Sequence, residues 1–218
     1  AGILQSQGQP LELTGRRVTI GFIDTGIRYE NEVFRSSSGQ SRITAIWDQT
    51  IQSGDPPAGF EYGTEYTREQ IDEALASDNP LQIVPSTDTI GHGTAMASVA
   101  AGSRLSGNRR FVGAAPDCNI VVVKLKPIKQ YLREYYLIPE DVPCYQETDL
   151  IQAIQYLQKF AVSLYSPLVI CLGVGTNLGD HAGVSVFARY LDLVMGRKSR
   201  AAVTCTGNEG NAAHHYHG

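Results

Sequence analysis

No apolar run in this 218-residue chain approaches the roughly 20 residues that span a bilayer. Basic residues are in slight deficit, with 18 Lys and Arg against 22 Asp and Glu and a formal net charge of -4. A nucleic-acid partner favours a basic face, so the charge balance argues against that class of function. Cysteine is scarce. Cys118, Cys144, Cys171 and Cys205 are too few and too scattered for a disulfide scaffold, and no C-x-x-C pair supplies half of a zinc ribbon. Cys171 and Cys205 sit inside apolar, strand-like runs, which predicts buried free thiols acting as small hydrophobes. The opening Ala1-Gly2-Ile3 has neither a basic n-region nor an apolar h-region, so a signal peptide is expected to be absent or already removed. Internal repeats and low-complexity tracts are lacking too.

What is present suits a soluble globular chain: 42% hydrophobic residues, 18% charged and 22 glycines, enough for one medium domain or a large part of one. Residues 17–24 (RVTIGFID) are β-branched and apolar and end on an acid, which predicts a buried strand with Asp24 at its carboxyl end. Residues 119–125, 168–173 and 201–206 read the same way. Near-continuous apolar strands suit a parallel sheet covered on both faces. Helices alternate with them. Leu150, Ile154, Leu157, Ala161 and Leu164 recur at steps of three and four, with Thr148 or Asp149 as the expected cap. Val186, Phe187, Tyr190, Leu191, Val194 and Met195 mark a second amphipathic face over 185–198. The small-residue stretch 91–102 suits a helix packed tightly on a sheet. The pattern predicts a doubly wound α/β layer. Residues 35–87, with a short helical signal over 67–77, and residues 126–147, with four tyrosines and three prolines, read as surface excursions.

Three short motifs carry the chemistry. In an open α/β sheet, ligands bind beyond the carboxyl ends of the strands, and Asp24, Gly173–Gly175 and Gly207–Asn208 all fall at such ends. Asp24-Thr25-Gly26 alone is ambiguous. It matches the aspartic-protease signature, in which two carboxylates share a proton, and equally an Asp that caps a turn. A second copy is required for the first reading, and Asp88-Thr89-Ile90 lacks both the glycine and the preceding strand. His92 opens the 91–102 helix, where the positive helix terminus helps keep an imidazole neutral, as a general base requires. A nearby carboxylate, with Asp24 the natural one, would orient it. Asn208, in a glycine-rich turn after a strand, is an amide able to donate to a developing oxyanion; a simple turn Asn is the alternative.

Ile23-Asp24-Thr25-Gly26, Gly91-His92-Gly93-Thr94-Ala95-Met96-Ala97 and Gly207-Asn208-Glu209-Gly210 together resemble the subtilisin-like serine proteases, the subtilases, whose triad runs in the order Asp, His, Ser. The resemblance spans nearly the whole chain. KLKPIKQYLREYY, YQETDLIQAIQYL and GVGTNLGDHAG further resemble the clostridial spore-germination subtilases of the Csp group. The resemblance implies a three-layer subtilisin-like α/β fold with a mostly parallel sheet, incomplete on its C-terminal side, residues 1–218 being part of a catalytic domain. It implies that Asp24 orients His92, that His92 is general base and then acid, and that Asn208 completes the oxyanion hole. Leu172, Gly173, Val174 and Gly175, with Gly207, would line the substrate-binding edge and primary pocket, and Lys126-Pro127-Ile128 would flank the other side of the extended peptide. The implied partner is a protein or peptide substrate such as a zymogen, and the implied setting is secreted or spore-associated. No cofactor is implied for catalysis; subtilases often bind structural calcium, but no ligand set stands out.

One element of the pattern is absent. Subtilases carry the nucleophile in Gly-Thr-Ser-x-[Ala/Ser]-x-Pro after the oxyanion Asn, and no Gly-Thr-Ser occurs here; ten residues follow Asn208 and none is Ser. Either the chain is one piece of a catalytic domain, completed by a C-terminal segment or propeptide outside it, or the parent is an inactive pseudoprotease acting as a signalling or binding protein. Intact Asp24, His92 and Asn208 favour the first. A sheet cut after Thr206 is expected to leave an uncovered edge. The glycines of 173–179 differ in spacing from a dinucleotide loop. His214, His215 and His217 match no closed zinc site and read as a solvated loop.

Overall fold

The structure, a computed structural model, describes residues 2–105, 111–176, 182–208 and 211. Six strands form one sheet in the order β3-β2-β4-β1-β5-β6. They are β1 (Thr19–Asp24), β2 (Ile43–Asp48), β3 (Thr64–Thr67), β4 (Asn119–Lys124), β5 (Leu168–Leu172) and β6 (Arg200–Thr204). All neighbours run parallel except β3, which pairs antiparallel with β2. The helices are α1 (Ile3–Gln7), α2 (Arg68–Ala76), α3 (Pro80–Ile83), α4 (His92–Ala101), α5 (Gln130–Tyr135), α6 (Glu147–Ser163) and α7 (Val186–Met195), with a 3-10 turn at Glu32–Phe34.

The alternation of side chains along each strand splits the core in two. On one face Phe22, Ile46, Ile120 and Val122 meet Ala97 and Ala101 of α4 and Ile71 and Ala74 of α2. On the other, Ile23, Trp47, Val121, Val123 and Ile170 meet Ala153, Ile154 and Leu157 of α6 and Val194 of α7. This is the three-layer α/β arrangement expected. α6 carries the chain from β4 across β1 to β5, and it lies so close that a methyl group on Gly21 would run into Leu157. The predicted strands and helices lie within three residues of those observed. Capping is clear where the sequence supplies hydroxyls: Thr67 and Gln70 form a reciprocal capping box on α2, and Ser185 accepts from the Ala188 amide on α7.

Four expectations change. The 35–87 stretch is not wholly a surface excursion, because it supplies β2 and β3. Its Ile43, Ile46 and Trp47 are fully buried, and their short apolar run was masked by the Ser, Gly and Pro around it. α6 begins at Glu147, two residues earlier than expected, with Gln146 in place of Thr148 or Asp149 as N-cap and no side-chain cap bond. Val186 lies outside the apolar face of α7 and is 75% exposed. Cys205 is exposed rather than buried, because β6 ends at Thr204, ahead of it, while Cys171 is half-buried; all four cysteines are free. Residues 126–147 supply no strand and hold the short α5.

β6 is the outermost strand on its side among the described residues. Its burial contrasts with that of β1, whose six residues are all buried, and Val203 on it is 58% exposed. At the far edge an aromatic cluster closes the sheet. Trp47 lies 4.7 Å from Phe60, 5.4 Å from Tyr62 and 5.2 Å from Tyr156 between ring centroids, and its indole donates to the Tyr62 carbonyl. Trp47→Ala is therefore expected to lower unfolding free energy by about 3–5 kcal/mol. Val203→Thr, at an exposed position, should change it by under about 0.5 kcal/mol. Urea denaturation of the two variants tests the contrast; equal effects would mean that the aromatic cluster is not a core element.

Candidate active site

β1 delivers Asp24 to the carboxyl rim of the sheet, next to the strand order's reversal point, and α4 starts with His92 directly above it. The His92 Nδ1 and the Asp24 Oδ1 are 2.8 Å apart. Asp24 is 2% exposed, whereas the His92 side chain is 45% exposed. The pair thus has a buried carboxylate and a ring open to solvent. With Nδ1 committed to Asp24, Nε2 is the ring nitrogen left to exchange a proton with a bound group. Asp24 Oδ1 also accepts from the Thr25 amide at 2.7 Å.

Two glycines make this approach possible. A methyl at Gly173, just past β5, would overlap Asp24 Oδ2 and press on the His92 ring; a methyl at Gly93 would overlap the Gly26 carbonyl. Asp24 Oδ2 is buried with no hydrogen-bond partner among the described residues. The negative charge there is felt by its neighbours. Burial raises the Tyr145 hydroxyl's pKa, and Asp24 and Asp88 push it further up. Burial likewise raises the Cys171 thiol, with Asp24 and Cys205 adding to it.

Asp88 is the residue that sequence reasoning missed. Fully buried, it joins the two halves of the pair. Its Oδ1 accepts from the Thr25 hydroxyl at 2.9 Å and from the Ile90 and Gly91 amides at 3.1 and 2.8 Å. Its Oδ2 accepts from the Thr94 amide and hydroxyl at 2.9 and 2.7 Å. Thr25 in turn receives the Gly93 amide at 3.0 Å. Asp88 therefore meets the Gly91 and Thr94 amides at the start of α4, with Thr25 meeting that of Gly93, while holding the loop after β1. Asp88 stands three residues ahead of the Gly91 N-cap, outside the usual cap position, so the helix-start signature does not mark it.

The other sequence-picked residues lie along the same rim. Leu172 is buried at the end of β5, and its continuation brings the Gly173 amide to the Ile23 carbonyl at 3.3 Å. Gly173 and Val174 are half-buried, and Gly175, on the exposed side, faces Cys205. Gly207 and Asn208 follow β6, two strands from β1, and are exposed. Glu209, Gly210, His214, His215 and His217 lie outside the described residues, as do the last glycine and its neighbours in 177–181. On the other side, the Leu125 amide donates to the Asp24 carbonyl at 3.0 Å, which fixes where Lys126-Pro127-Ile128 leaves β4. Among the described residues no group of three or more His, Cys, Asp or Glu side chains is placed to hold a metal ion, and no helix is long and apolar enough to cross a membrane.

The subtilase family profile matches residues 15–218. The chain belongs to the subtilase family. Among its relatives, the subtilisin-like protease SBT3.6 of Arabidopsis thaliana is 26% identical over 160 residues, covering 70% of this chain and 20% of that protein. The solved Clostridium perfringens CspB protease is 30% identical and superposes with a TM-score of 0.79 over 97% of this chain and 40% of that one. An S41 psychrophilic protease, at 18% identity with a TM-score of 0.56 over 96% of this chain and 52% of that one, shares the fold. This subtilase chain thus spans two-fifths of the CspB structure and one-fifth of the plant relative.

The Asp88 carboxyl is held below the usual aspartate range. Burial alone would raise its pKa, but the bonds from the Thr94 hydroxyl and amide, the Gly91 amide and the Thr25 hydroxyl outweigh it. A lowered native pKa stabilises the fold fully above the unfolded value, about 3.9, and that contribution is lost as pH falls through the native value. Asp88→Asn is accordingly expected to cost about 1–3 kcal/mol at neutral pH. The gap from the parent should narrow as pH falls below about 4. Urea denaturation across that range checks it; a gap that stays constant would show that the charge plays no part.

Proposed function

We propose that this chain is the Asp- and His-bearing part of a serine endopeptidase that hydrolyses peptide bonds through an acyl-enzyme. The observation that carries this reading is the buried Asp24 within 2.8 Å of the exposed His92 at a helix start, in a member of the subtilase family. Asp24 fixes the ring through Nδ1 and stabilises the imidazolium. His92 Nε2 takes the proton from a serine hydroxyl as it attacks the substrate carbonyl, then returns it to the leaving amine. Asn208 donates to the oxyanion of the tetrahedral intermediate. Leu172–Gly175 and Gly207 form the edge along which the substrate backbone lies and the wall of the primary pocket; glycines there let a second backbone approach closely.

The serine belongs to sequence beyond this segment. The relatives' greater length supports that placement, since this chain spans 40% and 20% of them. The chemistry calls for no cofactor. The Csp-group resemblance of the sequence carries the finer proposals: a protein or peptide substrate such as a zymogen, a missing C-terminal segment or propeptide as partner, and a secreted or spore-associated setting linked to spore germination.

A fluorophosphonate probe, which reacts with an activated serine, tests the assignment. The full-length protein should be labelled and residues 1–218 alone should not. His92→Ala in the full-length protein should abolish labelling. Asn208→Ala should slow turnover by roughly 10²–10³, the scale of subtilisin's own oxyanion amide. Labelling of the isolated chain would overturn the placement of the serine; no labelling of the intact protein would leave the catalytically inactive, signalling or binding subtilase as the correct reading.

A further inference from the structure

The last residues of three neighbouring strands carry charge at one height on one face of the sheet. Asp24 of β1 and Asp48 of β2 both pair in register with Lys124 of β4, the strand between them. Each follows by two residues a side chain that packs on the α4 side: Phe22, Ile46 and Val122. Side chains two apart on a strand share a face. Asp24 is taken up by His92. Asp48 is fully buried, and a carboxylate so placed has to be met by partners. Its Oδ2 lies 3.3 Å from the Lys124 ammonium and accepts from the Ser86 hydroxyl at 2.7 Å. Its Oδ1 accepts from the Thr50 amide at 2.8 Å and the Thr50 hydroxyl at 2.5 Å.

These contacts close a ring around the supports of the Asp24–His92 pair. Asp48 holds Ser86, two residues before Asp88. Asp88 accepts from the Thr25 hydroxyl and from the Gly91 and Thr94 amides. Thr25 leads to Gly26, at φ +117°, where an added methyl would lie 3.0 Å from Lys124 Cδ and 3.3 Å from the Thr87 carbonyl oxygen. The loop after β1 therefore sits against both the Lys124 stem and the 86–88 segment, and glycine is what lets it do so. The Lys124 ammonium then returns to Asp48. The ring sets the separation of two segments. One, 24–26, carries Asp24; the other, 86–88, holds the start of α4 and with it His92.

We propose that Asp48 and Lys124 are positioning residues for the Asp24–His92 contact, acting through Ser86, Asp88 and the loop at Gly26. A buried ion pair responds unequally to substitution. Removing one partner leaves the other charge buried and unmet, whereas replacing both by neutral groups of similar volume is tolerated. The stranded group turns toward water and takes its part of the ring with it. A displacement of about 1 Å at the reacting groups is enough to slow turnover roughly 10²-fold. The consequence for turnover rests on the peptidase reading; the consequence for the contact does not.

NMR of the full-length protein reads the contact without turnover. The Nδ1 proton of a protonated imidazole held by a carboxylate resonates at low field, and its loss in His92→Ala assigns it. Asp48→Asn and Lys124→Met should each abolish that resonance or move it upfield. Each should lower kcat by roughly 10–10²-fold while KM stays within about twofold. The double variant should recover the resonance and bring kcat to within about threefold of the parent. Ser86→Ala opens the ring without stranding a charge, so it is expected to fold where the single charge variants do not. It should move the resonance in the same direction, with a smaller loss of kcat. Val194→Ala, a core truncation on α7 outside the ring, should lower stability and leave the resonance and kcat in place. An unchanged resonance in whichever of the ring variants fold would overturn the proposal. An equal shift in Val194→Ala, or a double variant no better than the singles, would do so as well. If the intact protein has no peptidase activity, the resonance still decides the positioning, so the two failures are told apart.

Discussion

Asp88 fastens the loop after β1 to the start of α4. Its carboxylate gathers three backbone amides and two hydroxyls from Thr25, Ile90, Gly91 and Thr94. A helix start leaves its first amides unpaired, and burying them unpaired is costly. Meeting those amides with a side chain that also grips Thr25 leaves the helix a single angle and height over the sheet. His92, the first residue of that helix, then falls on the carboxylate that ends β1. The short contact of the pair is therefore the product of a tie one residue removed from each partner. Gly93 and Gly173 serve the same end by leaving room: one lets the helix descend to the Gly26 carbonyl, the other lets β5 pass Asp24 Oδ2 without a methyl between them.

The parallel sheet was legible because its central strands are apolar on both faces, so TIGFID, NIVVVK and LVICL each stand out against polar surroundings. β2 escaped notice because its apolar run is short and framed by loop residues, and β3 because four residues carry too little periodicity. Asp24 and His92 could be read from motif and order, since each stands at an element boundary that the pattern already marked. Asp88 could not be ranked that way. Its importance comes from groups up to 63 residues away converging on it, and a linear pattern does not encode such convergence. The same holds for Asp149, which read as a helix cap and proved to be the partner of Lys126 and Tyr62.

The order in which strands enter the sheet has a kinetic consequence. Asp24 and His92 are 68 residues apart, and β1 meets the approach to β5 through Thr19 and Ser166, 147 residues apart. Contacts this distant in sequence form slowly, since the entropy of closing long loops opposes them until the sheet is nearly complete. A growing chain that has made β1 and α4 still lacks the strand whose glycine closes over Asp24. The surroundings of the carboxylate–imidazole pair are thus completed only at the end of folding, by the last pairing the topology allows.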